Sequence, residues 1–176
     1  MPPLLDASGN WGHTAIDLRT RLNNKIDNLQ PWSYSAFEWK QLSQQPSRFE
    51  QFGALRVSEV CPVYNCHGLT FGSRRTQVDG STETVSMILE DDGFKEIPIV
   101  SARPGDVVIY YDVSGTILHS GIVLDLGELN VPKIWSKWGK GYEMVHLLGN
   151  CPYESSYAKF YRITTWKPEE IFKKAL

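Results

Sequence analysis

The chain is expected to fold as an α+β domain built on an antiparallel sheet, and three observations carry that expectation. Helical spacing is confined to the first half, over residues 35 to 45, 66 to 75 and 82 to 92. From Ile97 onward, Pro98, Pro104-Gly105 and Gly115 punctuate short runs rich in β-branched and aromatic residues. Helices first and hairpin-spaced strands afterwards argue for an antiparallel sheet rather than alternating βαβ units.

The elements follow in order. Ser35-Ala36-Phe37-Glu38 has the spacing of a capping box, in which the serine hydroxyl and the glutamate carboxylate each satisfy a backbone N–H of the other, so a helix should start there and end before Pro46. Trp32, Phe37, Trp39 and Leu42 would give that helix an apolar, core-seeking face. Cys66, Leu69 and Phe71 lie on a second short helix closed by the turn residues Gly72-Ser73, and Val85, Ile88 and Leu89 have helical spacing in a third that stops before Gly93. Strands are expected over residues 107–111, 117–126, 133–138, 142–148 and 157–165. At the end, Pro168, Glu169 and Glu170 precede Lys173 and Lys174, an order that suits the dipole of a closing helix. The expected division is a helical arm over 1–50, the main domain over 51–166 and a terminal helix over 167–176.

Composition removes several function classes. The chain has 176 residues, 41% hydrophobic and 22% charged, an ordinary globular balance with enough length for one core. A net charge of -2 without a Lys/Arg stripe gives no case for nucleic acid. No stretch has the length of a membrane span, and Met1-Pro2-Pro3-Leu4-Leu5-Asp6 lacks the basic and apolar regions of a signal peptide, so a cytoplasmic location is expected. Cys61, Cys66 and Cys151 are odd in number and read as reduced thiols rather than a disulfide framework. Nothing in the sequence asks for a cofactor, and it leaves the oligomeric state open.

The residues that carry chemistry are Cys66, at the start of a helix, and His119, at the head of a strand segment. A thiol with a pKa of about 8.5 is mostly protonated at neutral pH and needs neighbouring positive charge or an imidazole to become a nucleophile. The run Asn65-Cys66-His67-Gly68-Leu69, the turn Pro104-Gly105-Asp106 and the strand His119-Ser120-Gly121-Ile122 occur in that order. In order and spacing they resemble the motifs of the papain-like NlpC/P60 and CHAP cysteine peptidases and amidases, over roughly residues 60–146.

That resemblance implies a papain-like domain over 51–166 and amide hydrolysis through a Cys66 thioester, with His119 as base and a peptide or peptidoglycan-like amide as substrate. It implies a third polar residue on the following strand, where the usual orienting residue is missing from Lys133-Ile134-Trp135-Ser136-Lys137-Trp138. Ser136 is favoured over Lys137 because its hydroxyl accepts an imidazole N–H, and His146 is the alternative. Tyr64, His67 and Lys137 are the candidate substrate contacts. A transacylase differs only in the nucleophile that resolves the thioester. Two other readings stay open: an inactive binding or assembly module on the same scaffold, and a metal site drawn from Cys61, Cys66 and His67 with Cys151 or His146.

Overall fold

The computed structural model describes residues 14–31, 33–43, 53–127 and 130–164. Its elements are β1 (Asn28–Leu29), α1 (Ala36–Ser43), β2 (Leu55–Arg56), α2 (Cys66–Phe71), β3 (Gln77–Val78), α3 (Thr82–Asp91), β4 (Phe94–Ile97), β5 (Val107–Tyr111), β6 (Ile117–Leu126), β7 (Pro132–Lys137), β8 (Glu143–Leu147) and β9 (Lys159–Ile163). Seven strands form one sheet in the order β2-β8-β7-β6-β5-β9-β4. Every pairing in it is antiparallel, which makes the domain α+β as expected. Among the described residues no helix is long and apolar enough to cross a membrane.

Period-two alternation sends neighbouring side chains of each strand to opposite faces. On one face Val107, Ile109 and Ile117 pack with Val85 and Leu89 of α3, and with Phe71 of α2. On the other, Val108, Tyr110, Val123, Ile134 and Phe160 form a second cluster, against which Leu148, Cys151 and Ala158 pack. The helices thus cover one face, and the chain between β8 and β9 contributes to covering the other.

Several sequence expectations need correction. The capping box is present, with the Ser35 N–H donating to Glu38 Oε2 (2.9 Å) and the Glu38 N–H to Ser35 Oγ (3.2 Å). The helix it starts leaves Phe37 and Trp39 exposed and buries Leu42, so its aromatic face is not core; Trp32 lies outside the described residues. Residues 14–30 are not a helical arm. They are extended, bridged at Thr14↔Gln30 and Arg19↔Lys25, and paired through β1 to β3. Leu18 and Ile26 share a cluster with Val78 and Ile88, and Thr20 Oγ1 donates to Asp91 Oδ2 (2.7 Å) at the end of α3. These contacts make the segment part of the domain, although Leu18, Leu22, Ile26 and Leu29 recur at helical spacing. β4 begins directly after Gly93, whose φ of 76° makes the turn, earlier than the punctuation by Pro98 suggested. The terminal helix expected over 167–176 lies outside the described residues.

Candidate active site

Cys66 is the first residue of α2 and is 7% exposed. Asn65 caps the helix: its Oδ1 accepts from the N–H groups of Gly68 (2.8 Å) and Val78 (3.2 Å), while Nδ2 donates to the Val78 carbonyl (2.8 Å). One side chain therefore both starts α2 and ties it to β3. The glycine two positions after the cysteine has an equally local reason. A Cβ on Gly68 would lie 1.9 Å from the Thr76 carbonyl oxygen, so only glycine lets α2 approach this closely. The helix ends sooner than expected because Ser73 and Arg74 adopt left-handed φ values of 51° and 63°. That turn delivers Arg74 to Glu143 of β8, with Nε 2.6 Å from Oε1.

α2 packs on β6 and β7. The pairing of those strands runs from Leu126↔Pro132 to Ile122↔Trp135 and ends there, although β6 extends back to Ile117 and β7 on to Lys137. The Val123 N–H points to β5, where it donates to the Asp106 carbonyl (2.8 Å). By alternation the Ser120 N–H points toward β7, beyond the last paired residues. It is freed from the ladder and acts on Cys66 instead. Burial pushes the Cys66 thiol up to about 11, against the N–H groups of Ser120, His67 and Cys66 itself, which favour the thiolate.

Ser120 was not singled out by sequence, yet it organises the base of α2. Its Oγ lies 2.9 Å from His67 Nδ1 and 3.0 Å from Thr70 Oγ1, and Thr70 in turn donates to the Cys66 carbonyl (3.0 Å). Since that carbonyl only accepts, the chain of hydroxyls reads His67 Nδ1–H to Ser120 to Thr70 to Cys66. His67 is therefore a buried structural ligand of Ser120 rather than an accessible substrate contact. Burial holds it down at about 4, opposed by Asp79.

His119 is wholly buried on the face opposite Ser120. Its ring stacks on Tyr153 with centroids 4.0 Å apart and planes 9° apart, and it is tilted against Tyr110. Neither ring nitrogen has a hydrogen-bond partner among the described residues, so no hydrogen bond joins it to Cys66 or to Ser136. Burial, with His67 and His146 adding to it, holds His119 well below the usual histidine range.

The orienting role expected of Ser136 is corrected. Its hydroxyl meets His146 Nε2 (2.9 Å) and accepts from Trp138 Nε1 (3.1 Å), and His146 Nδ1 is 2.8 Å from the Leu147 carbonyl. Ser136 and His146 satisfy each other and leave nothing for His119. Tyr64 and Lys137 are also placed differently from substrate contacts. Tyr64 is buried and donates to Glu143 Oε1, while Lys137 is fully buried with its ammonium 4.4 Å from the Tyr64 ring centre. Burial pushes Lys137 down to about 8, opposed by Cys61, Glu143 and Cys66.

Glu143, also unflagged by sequence, anchors this side. It accepts from Arg74, Tyr64 and Trp135 Nε1 (2.8 Å), and Arg74 stacks 4.4 Å above the Trp135 ring. Burial would raise its carboxyl, but Arg74, Tyr64 and Trp135 hold it below the ordinary carboxylate range. No family model matches this chain, and no curated protein or solved structure matches it either. All three cysteines are free, and among the described residues no group of three or more His, Cys, Asp or Glu side chains is placed to hold a metal ion.

Proposed function

We propose that the protein is a cysteine hydrolase on a papain-like scaffold, cleaving an amide through Cys66 with His119 as its acid-base partner. The observation that carries the reading is the place of Cys66, buried at the start of α2 against β6 where the β6–β7 ladder has ended, with the Ser120, His67 and Cys66 N–H groups favouring its thiolate. Donors fixed beforehand around a developing negative charge are what acyl transfer requires. Ser120, one of the residues supplying them, follows His119 in the chain, and their side chains take opposite faces of β6. A buried imidazole with both nitrogens uncommitted costs stability, which a catalytic duty accounts for.

In this mechanism Cys66 gives its proton to His119 and attacks the carbonyl carbon. The C–N bond breaks, the amine leaves with the proton held by the imidazolium, and water then converts the thioester to a carboxylic acid and the free thiol. The resemblance in motif order points to a peptide or peptidoglycan-like amide as the substrate class.

A substrate-independent test uses p-nitrophenyl acetate as acyl donor, with mass spectrometry of the Cys66 peptide. The expected result is acetylation of Cys66 that turns over, is absent in Cys66→Ser, and is slowed by about a hundredfold or more in His119→Ala. Acetylation that spares Cys66, or that proceeds equally on all three cysteines and without regard to His119, overturns the reading. It would leave the second one, an inactive binding module, favoured by the thiol held up at about 11 and by the absence of a Cys66–His119 hydrogen bond.

A further inference from the structure

We propose that Lys137 is the buried counter-cation of the Cys66 thiolate, a positioning residue that rests on the hydrolase reading. Lys137 is completely buried, yet no carboxylate lies within ion-pair distance of it among the described residues. Its ammonium donates to the Gly141 carbonyl and rests on the Tyr64 ring. A buried ammonium without an anion is costly, and proteins normally pair it. The nearest carboxylate in the network, Glu143, is already engaged by Arg74, Tyr64 and Trp135.

The sheet supplies the missing anion. Two positions beyond the last β6–β7 pair, Ile122↔Trp135, the residues facing each other are Ser120 and Lys137. They share the face that α2 covers, where Ser120 meets Thr70 and His67. The Ser120 N–H bears on Cys66 from β6, and Lys137 stands on the β7 side of the same gap under Tyr64, two residues before Cys66. The titratable groups around Lys137 are Cys61 and Tyr64 from the segment before α2, Cys66 from α2 and Glu143 from β8, with Arg74 beyond Glu143. Of these, Cys66 is the thiol whose deprotonation the proposed reaction needs. Once it loses its proton, Lys137 and Cys66 form a neutral pair in a dry site, each stabilising the charge of the other.

The test reads thiol ionisation rather than turnover. The rate of Cys66 carbamidomethylation by iodoacetamide is followed against pH on the intact chain and on Lys137→Met, which keeps the length and loses the charge. At pH 7 the variant should react about tenfold more slowly or worse, the equivalent of one pKa unit. Because linkage is reciprocal, the unmutated protein provides a second measurement that does not depend on the variant folding: carbamidomethylating Cys66 should lower the Lys137 titration, followed by lysine side-chain NMR, and by more than Cys61→Ser, whose thiol also bears on Lys137. An alkylation profile unchanged in folded Lys137→Met, or a Lys137 titration that responds to Cys61→Ser and not to Cys66 modification, overturns the proposal. If Cys66 is acetylated by p-nitrophenyl acetate but reacts independently of Lys137, the hydrolase reading stands without it. If Cys66 ionises with Lys137 but carries no acyl group, the counter-cation stands and the hydrolase reading falls.

Discussion

The two faces of β6 and β7 solve the burial of polar groups in opposite ways. On the helix face, charge is present and answered: Glu143 holds Arg74, Tyr64 and Trp135, and Ser120 holds His67. Lys137, buried on that face, has no carboxylate within ion-pair distance among the described residues. On the far face the buried polar side chains of β6 and β7 are uncharged, and the ion pair Asp106–Arg162 lies just before β5 and on β9. Ser136, His146 and Trp138 close on each other, and His119 sits between aromatic rings with no hydrogen-bond partner among the described residues. Consecutive residues divide these roles, since Ser120 and His119, and likewise Lys137 and Ser136, point to opposite sides. The comparison teaches that a one-residue step along a strand separates a group that builds charge from a group kept uncharged.

The sharpest way to break the comparison is through the glycine on each side. Gly68→Ala drives a methyl into a backbone carbonyl that cannot move aside, and should cost about 3 kcal/mol or more, read as a large loss in denaturant midpoint. Gly121→Ala meets the Ile134 Cγ2 methyl at 2.6 Å, Ser136 Cβ at 3.1 Å and the Trp135 carbonyl at 3.2 Å, a side-chain clash first and a looser backbone contact than at Gly68, and should cost less. Equal costs would mean that α2 is no more tightly seated than the far face.

The paired serines come next. Ser120→Ala and Ser136→Ala each strand a buried histidine nitrogen and should each lose about 1–3 kcal/mol of stability. Their chemistry should differ: iodoacetamide labelling of Cys66 should slow in Ser120→Ala and stay unchanged in Ser136→Ala. Similar labelling in the two variants would erase the distinction between the faces.

The smallest effect concerns acid. His67, His119 and His146 all have folded pKa values below the ordinary 6.5, because burial disfavours the imidazolium. Below pH 6.5 the unfolded chain therefore binds protons that the folded chain refuses, and stability falls as pH drops from there toward the folded values. Each histidine contributes about 1.4 kcal/mol per pH unit inside its window. His119→Phe should preserve or raise stability at pH 7, since it discards two unpartnered nitrogens, and should make the acid slope shallower by one proton. An unchanged slope in urea titrations at pH 5 to 6 would show that His119 is protonated in the folded state.

Much of the frame could be read from residue spacing. The capping box at Ser35 and Glu38, the start of α2 at Cys66 and the strands after Pro104 all depend on contacts within a few residues, and local sequence states those directly. What escaped reading depends on contacts made across the sheet. The role of Ser120 follows from where the β6–β7 ladder stops, the role of Glu143 from a left-handed turn at Ser73 and Arg74, and the partner of Ser136 from the register Ile134↔His146. The extended path of residues 14–30 was missed because its two core residues, Leu18 and Ile26, find their partners some 50 or more positions later, at Val78 and Ile88.

The place of β9 has a consequence for how this chain is made. It enters the sheet between β5 and β4, pairing Val107↔Tyr161 on one side and Phe94↔Ile163 on the other. While the chain is being synthesised, β4 has no neighbour and the outer edge of β5 stays bare until residues 159–163 have left the ribosome. Since a bare strand edge readily pairs with another chain, the nascent protein passes through a stage in which β5 through β8 can pair while the β5 edge is open. Sheet completion is then a late event driven by contacts more than 50 residues apart, and such long-range closure slows folding.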